Sequence, residues 1–341
     1  MSVCADFLSV PATEPTAAAL AGENKAEYLL PSRAIDTHVH IFDPSGHPYA
    51  ATRSYSPSAA VLSELLDFTS RFTRNGLPST VVLVQPSPYG TDNRLLCQSL
   101  EMCHRQGLPL ARGIAVIDPD TAADSELQHL HQCGVRGVRI NTESSGRHMT
   151  TSAICDVLRK TADRIRHLPG WWIQVYVQAR VWKEQFNFFS NLPVPIIADH
   201  LGGLKGASIL LDRTEMSPQM YPQALTQPGF DELIQLVQAG KVVVKLSGVY
   251  RASQLTKEGF GDLEPIIRAL VLACSSQLIY GSDWPHTGEG KDRVGRSMTQ
   301  VEPFRVINHA EVLLGLRRWV GSAGLWRRIM VDNPRRVYGI A

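Results

Sequence analysis

The chain has no apolar run approaching the roughly 18 residues that a membrane-crossing helix needs. Its six cysteines (Cys4, Cys97, Cys103, Cys133, Cys155, Cys274) are scattered and form no CxxC pair. The first absence argues against a membrane partner. The second removes zinc-ribbon and thioredoxin-type motifs and predicts reduced thiols in a cytoplasmic protein. Charge excess is lacking too: the net charge of +2 predicts no strong attraction to nucleic acid or to anionic membrane. The opening MSVCADFLSV has no basic start and carries Asp6, so it does not read as a secretory signal. No internal repeat and no long linker divides the 341 residues, which predicts one large domain.

Beyond residues 1–30, expected to form a flexible or surface-packed arm, short apolar runs alternate with helical stretches. The runs are 34–40, 80–85, 111–118, 135–141, 171–177, 194–200, 241–247 and 277–283. They are rich in Val and Ile and nearly continuous in apolarity, as parallel strands buried on both faces are. Between them, RLLCQSLEMCHRQ (94–106) and SELQHLHQCG (125–134) have the spacing of amphipathic helices. Such an alternation predicts an α/β fold, a (β/α)8 TIM barrel over residues 31–341. The competing open doubly wound sheet usually carries GxGxxG after its first strand, where this chain has HVHIFDPSG. Residues 203–229 read as a long loop before FDELIQLVQAG, and 288–300 as a second one.

In a barrel the chemistry sits at the C-terminal strand ends. Those ends carry His38 and His40, then Gln85 with Ser87, Asp118, Arg139 with Asn141, and Gln174 with Tyr176. They continue with Asp199 and His200, Lys245 and Ser247 with Arg251 beyond, and Ser282 and Asp283. Polar residues gathered at one end of eight apolar strands are hard to explain by packing. His38 and His40, two apart on a strand, share a face and suit a divalent metal or a polarised carbonyl. Arg136 and Arg139, three apart, face opposite sides, and Arg139 is the one expected inside. A guanidinium there can grip a carboxylate bidentately.

HVH on the first strand, a histidine on the sixth and an aspartate on the eighth resemble the amidohydrolase superfamily. QPSPYGTDN, RGVRIN, DHLGG, VKLSGVYR, GSDWPH and DNPRRVYG resemble, in order and from Ile35 to Tyr338, its branch of 2-pyrone-4,6-dicarboxylate hydrolases and sugar lactonases. That resemblance implies a carboxylated small-molecule substrate, with Tyr55, Ser87, Arg139, Tyr176 and Arg251 at the carboxylate-binding positions. It also implies catalysis without metal. The bridging lysine and extra interior histidine of binuclear members are missing, Arg139 and Asn141 standing on strand four.

The reading is therefore a lactonase-type hydrolase. Asp283 would assist water, and His38, His40 and His200 would polarise the carbonyl, with mixed protonation among the three imidazoles. No cofactor is preferred; the alternative is a single Zn²⁺ on His38, His40, His200 and Asp283. A Zn²⁺-dependent non-oxidative decarboxylase and a non-catalytic binding barrel are the rival functions, and a homo-oligomer is compatible with the hydrolase reading.

Overall fold

A computed structural model of the chain describes residues 29–108, 110–144, 149–211 and 216–340. The expected arm lies outside these residues apart from its last two positions. All eight predicted strands form: β1 (Ile35–Val39), β2 (Thr80–Val84), β3 (Arg112–Ala115), β4 (Val135–Asn141), β5 (Trp172–Tyr176), β6 (Ile196–Ala198), β7 (Val242–Leu246) and β8 (Leu278–Tyr280). They pair in sequence order, every pair parallel. Just beyond β8 the chain returns to β1. Val39 bridges Trp284 in parallel, His40 N donates to Trp284 O at 2.9 Å, and Asp283 N donates to His38 O at 2.9 Å. The closure therefore sets His38, His40 and Asp283 side by side.

Helices cover the outside: α1 (Leu62–Ser70), α2 (Arg94–Arg105), α3 (Asp124–Gln132), α4 (Thr151–Ile165), α5 (Arg180–Glu184), α6 (Phe230–Gln238), α7 (Glu264–Cys274) and α8 (His309–Val320). Their apolar stripes explain their placement. In α2 the buried residues Leu95, Leu96, Ser99, Leu100 and Cys103 follow helical spacing and leave Arg94, Glu101 and Arg105 outside. The N-terminus of α4 is capped by Thr150, whose side chain accepts from Ala153 N.

The barrel interior is layered. Val82, Val84, Ile114, Ile197, Val243 and Ile279 form one buried cluster with Val337, Tyr338 and Ile340 of the C-terminal segment. Residues two apart on a strand share a face. Lys245 therefore stands one layer above Val243, and Asp199 one layer above Ile197. The floor is apolar and the layer above it is polar. The NPRRVYG motif supplies that floor as a helix, Asn333–Tyr338, with Asn333 Nδ2 donating to Leu278 O at 2.7 Å.

The loop expected over 203–229 carries more structure than its composition suggested. Short turns occupy His200–Gly203, Ala207–Leu210 and Pro218–Thr226, and buried Asp262 accepts from Ser208 N at 2.9 Å. The loop after β8 is held as well: Val301–Glu302 pairs in parallel with Ser56–Pro57.

Candidate active site

His38, His40, His200 and Asp283 meet in the polar layer, all buried. His40 Nδ1 lies 2.7 Å from Val84 O, which makes Nδ1 the protonated nitrogen and leaves a lone pair on Nε2. His40 Nε2 is 3.8 Å, and His38 Nε2 3.7 Å, from Asp283 Oδ1. Among the described residues, neither His38 Nε2 nor Asp283 Oδ1 has a hydrogen-bond partner. His200 packs its ring 4.7 Å from that of His38, and its Nδ1 is 3.0 Å from Ser247 Oγ.

Two glycines permit this crowding. A Cβ at Gly281 would stand 2.5 Å from His38 Cβ, and one at Gly248, whose φ is +58°, 2.5 Å from His200 Nδ1. His200 and Asp283 themselves have φ of 51° and 62°. Positive φ is uncommon outside glycine and clusters at functional sites.

Asp283 is held from its other oxygen. Oδ2 accepts from Arg251 Nε at 2.7 Å and from Tyr250 OH at 2.7 Å. Burial, the largest single influence, pushes this carboxyl up, but the Arg251 guanidinium together with His200, His38 and His40 outweighs it and holds Asp283 well below the usual carboxylate range. The three imidazoles move down, burial being the main cause in each. His40 falls to about 4 with Arg139 adding to the effect, and His200 to about 3. His38, beside Lys245, also falls well below its ordinary value. All three shifts favour the neutral ring, where mixed protonation was expected from the sequence.

Behind His38 lies a second network that the motifs did not assign. Buried Lys245 donates to Gln174 Oε1 at 2.6 Å and to Thr37 O at 2.7 Å, with His38 Nδ1 at 3.4 Å. Gln174 Nε2 donates to Asp199 Oδ2 at 2.9 Å, and Asp199 Oδ1 is 3.2 Å from His38 Nδ1. Burial brings the Lys245 ammonium down to about 8. The signal for this network was strand parity: Lys245, Gln174 and Asp199 are each two residues beyond a floor or strand residue that faces inward. Tyr250 was missed because only its neighbour in VKLSGVYR carries a charge.

The substrate-side candidates divide. Arg139 is buried with Nε 3.6 Å from Asp199 Oδ2 and, among the described residues, no hydrogen-bond partner on that nitrogen. Arg136 instead donates to His131 O and Val135 O on the outer side. Tyr176 sets its ring 4.6 Å from His200, edge to face. Tyr55 is buried with the Arg293 guanidinium 3.4 Å above its ring, and burial pushes its hydroxyl pKa up against the opposing pull of Arg293 and Arg139. Ser87 opens the turn after β2, half-buried. Arg251 is less open than expected, since it also donates to Gly288 O, Tyr250 OH and Thr287 Oγ1. Gln85 and Asp118 serve loops: Gln85 donates to Asp92 O, and Asp118 accepts from Asp120 N and Thr121 Oγ1. His309 is buried and shares a hydrogen bond with Tyr280 OH.

His38, His40 and Asp283 bring ligand atoms within 4.8 Å of one another, and so do His38, Asp199 and His200. The first trio offers a fixed lone pair on His40 and two buried atoms without partners. It fits a divalent cation.

The amidohydrolase family model matches residues 35–340. A 2-pyrone-4,6-dicarboxylate hydrolase of Comamonas testosteroni is 29% identical over 334 residues, covering 93% of this chain and 94% of that protein. A 4-sulfomuconolactone hydrolase of Rhizobium radiobacter is 27% identical over 315 residues, covering 92% of each. Among solved structures, a candidate 2-pyrone-4,6-dicarboxylic acid hydrolase of Pseudomonas putida superposes with a TM-score of 0.65 at 29% identity, over 91% of this chain and 99% of that one. The chain belongs to the amidohydrolase family. Within it, the chain is a hydrolase of the lactonase type. Among the described residues no helix is long and apolar enough to cross a membrane.

Proposed function

We propose that this protein opens a lactone or similar ester that carries carboxylates, a 2-pyrone dicarboxylate being the nearest substrate type. The observation that carries this reading is Asp283 Oδ1, a buried, ionised and unpartnered oxygen beside the His40 Nε2 lone pair. Two acceptors 3.8 Å apart suit a water molecule that donates one O–H to each. Asp283 then takes the proton as this water attacks the carbonyl and passes it to the leaving oxygen. We assign His200 as the neutral donor to the carbonyl oxygen. Ser247 Oγ accepts His200 N–H, so its own hydrogen can go to Nδ1, leaving Nε2 protonated. Arg139, the spare donor of Arg251, Tyr176, Tyr55 and Ser87 would receive the substrate carboxylates.

Metal independence is part of this proposal. Support comes from the cations already present: Arg251 on Asp283, and Lys245 beside both His38 and Asp199. Each opposes a further positive charge. A metal held by His38, His40 and Asp283, with His200 nearby, would supply Lewis-acid polarisation of the carbonyl. A cytoplasmic location and a single catalytic domain over residues 31–341 belong to the same reading.

Turnover of 2-pyrone-4,6-dicarboxylate, 4-sulfomuconolactone and an uncharged lactone tests it, ring opening being followed by ultraviolet absorbance. Hydrolysis favouring the anionic lactones is expected. Preference for the uncharged lactone removes the carboxylate assignment, and carbon dioxide release from an aromatic acid replaces the reaction altogether.

A further inference from the structure

On the outside of the barrel, away from the residues described so far, two cysteines and a histidine converge. Cys97 lies in the first half of α2, and His129 and Cys133 lie four residues apart at the end of α3. That spacing puts the last two on one helix face. All three ligand atoms lie within 4.8 Å of one another. Cys97 and Cys133 are half-buried thiols that form no disulfide, and His129 is exposed.

We propose that Cys97, Cys133 and His129 form a site for a borderline-soft divalent cation such as Zn²⁺ or Cd²⁺. The geometry is the main argument. With metal–sulfur bonds of about 2.3 Å and metal–nitrogen bonds of about 2.0–2.1 Å, a tetrahedral centre separates its sulfur and nitrogen ligands by about 3.6 Å. Cys133 Sγ stands 3.6 Å from His129 Nε2. A disulfide would instead need the sulfurs at about 2.05 Å, a separation that leaves the imidazole no role. Thiolate with imidazole selects zinc, cadmium or copper(I) over magnesium and calcium. Both thiols lose their protons to solvent on binding, and the imidazole binds through its neutral Nε2. Three protein ligands leave a fourth position, and the exposure of His129 opens it to water.

The consequence is a clip between α2 and α3, two helices that follow successive strands. It shares no residue with the barrel interior, so its loss and the loss of catalysis are separable. Cadmium is the probe, because thiolate ligation gives an ultraviolet sulfur-to-cadmium charge-transfer band that His38, His40 and Asp283 cannot produce. Full-length protein under a phosphine reductant is titrated with Cd²⁺ alone. One equivalent should develop the band in the wild type, and Cys97→Ser combined with Cys133→Ser should abolish it while leaving lactone hydrolysis unchanged. His129→Ala, a surface change that leaves the fold intact, should weaken the apparent affinity at least tenfold. A band of equal size in the double serine variant, no band in the wild type, or unchanged affinity in His129→Ala would each overturn the site.

Discussion

Arg251 Nε donates to Asp283 Oδ2 at 2.7 Å, on the carboxylate oxygen opposite the one that faces His38 and His40. The pair is buried, so the cation keeps Asp283 ionised where burial alone would protonate it. Replacing Arg251 with Met should raise the Asp283 pKa and move the acid limb of kcat/KM to higher pH. It should also cost about 3–5 kcal/mol of stability, because a buried charge loses its partner. Arg251→Lys keeps a positive charge and should leave the limb nearer its original position. A pH profile of Arg251→Met that superimposes on the wild type would show that the guanidinium does not set the Asp283 ionisation.

Asp283→Asn tests the base directly. The amide is close in shape but takes up no proton. Hydrolysis should fall by about 10²–10⁴-fold, the usual contribution of a general base. Calorimetry with an inert dicarboxylate should show binding within a few fold of the wild type. Turnover comparable to the wild type would assign the proton transfer elsewhere.

Metal dependence separates the two uses of the imidazole cluster. Elemental analysis of the protein after prolonged chelation, with the Cys97→Ser/Cys133→Ser variant as a control for the outer thiols, should find full activity without stoichiometric metal. If chelation removes activity and Zn²⁺ restores it, the cluster is a metal centre.

The neutral histidines make a prediction about stability. His40 and His200 have ordinary values near 6.5 in the unfolded chain and fall to about 4 and about 3 in the folded one. As pH drops below 6.5 the unfolded chain takes up protons that the native protein does not. Stability is therefore complete above 6.5 and declines as pH falls toward 4. The His40 shift alone corresponds to about 3 kcal/mol. Denaturant midpoints measured across that range should decline, and His40→Asn should make the slope shallower. A flat profile in the wild type would mean that the rings are already protonated at neutral pH.

Much of the molecule was legible in local patterns. The eight strands are runs of Val and Ile, buried on both faces, and each appears within a few residues of its predicted span. The strand-end positions of His38, His40, Arg139 and Tyr176 follow from the alternation of side chains along a strand, whereas Asp283 lies three residues past β8 with a φ of 62° that alternation does not encode. The loops were less legible. The turns within 203–229 depend on contacts such as Ser208 to Asp262, 54 positions apart, which no local periodicity encodes.

By itself, the sequence determined the alternation of strand and helix and the residue types that crown the barrel, because backbone periodicity and burial act over a few neighbouring positions. Tertiary structure alone decided how those residues are used. It turned Arg251 toward Asp283, gave Lys245 and Asp199 to His38, made the imidazoles neutral, and brought Cys97 beside His129 and Cys133. Those outcomes depend on distances across the barrel and between helices, and on the low dielectric that burial creates. Both arise only when segments far apart in the chain close on one another.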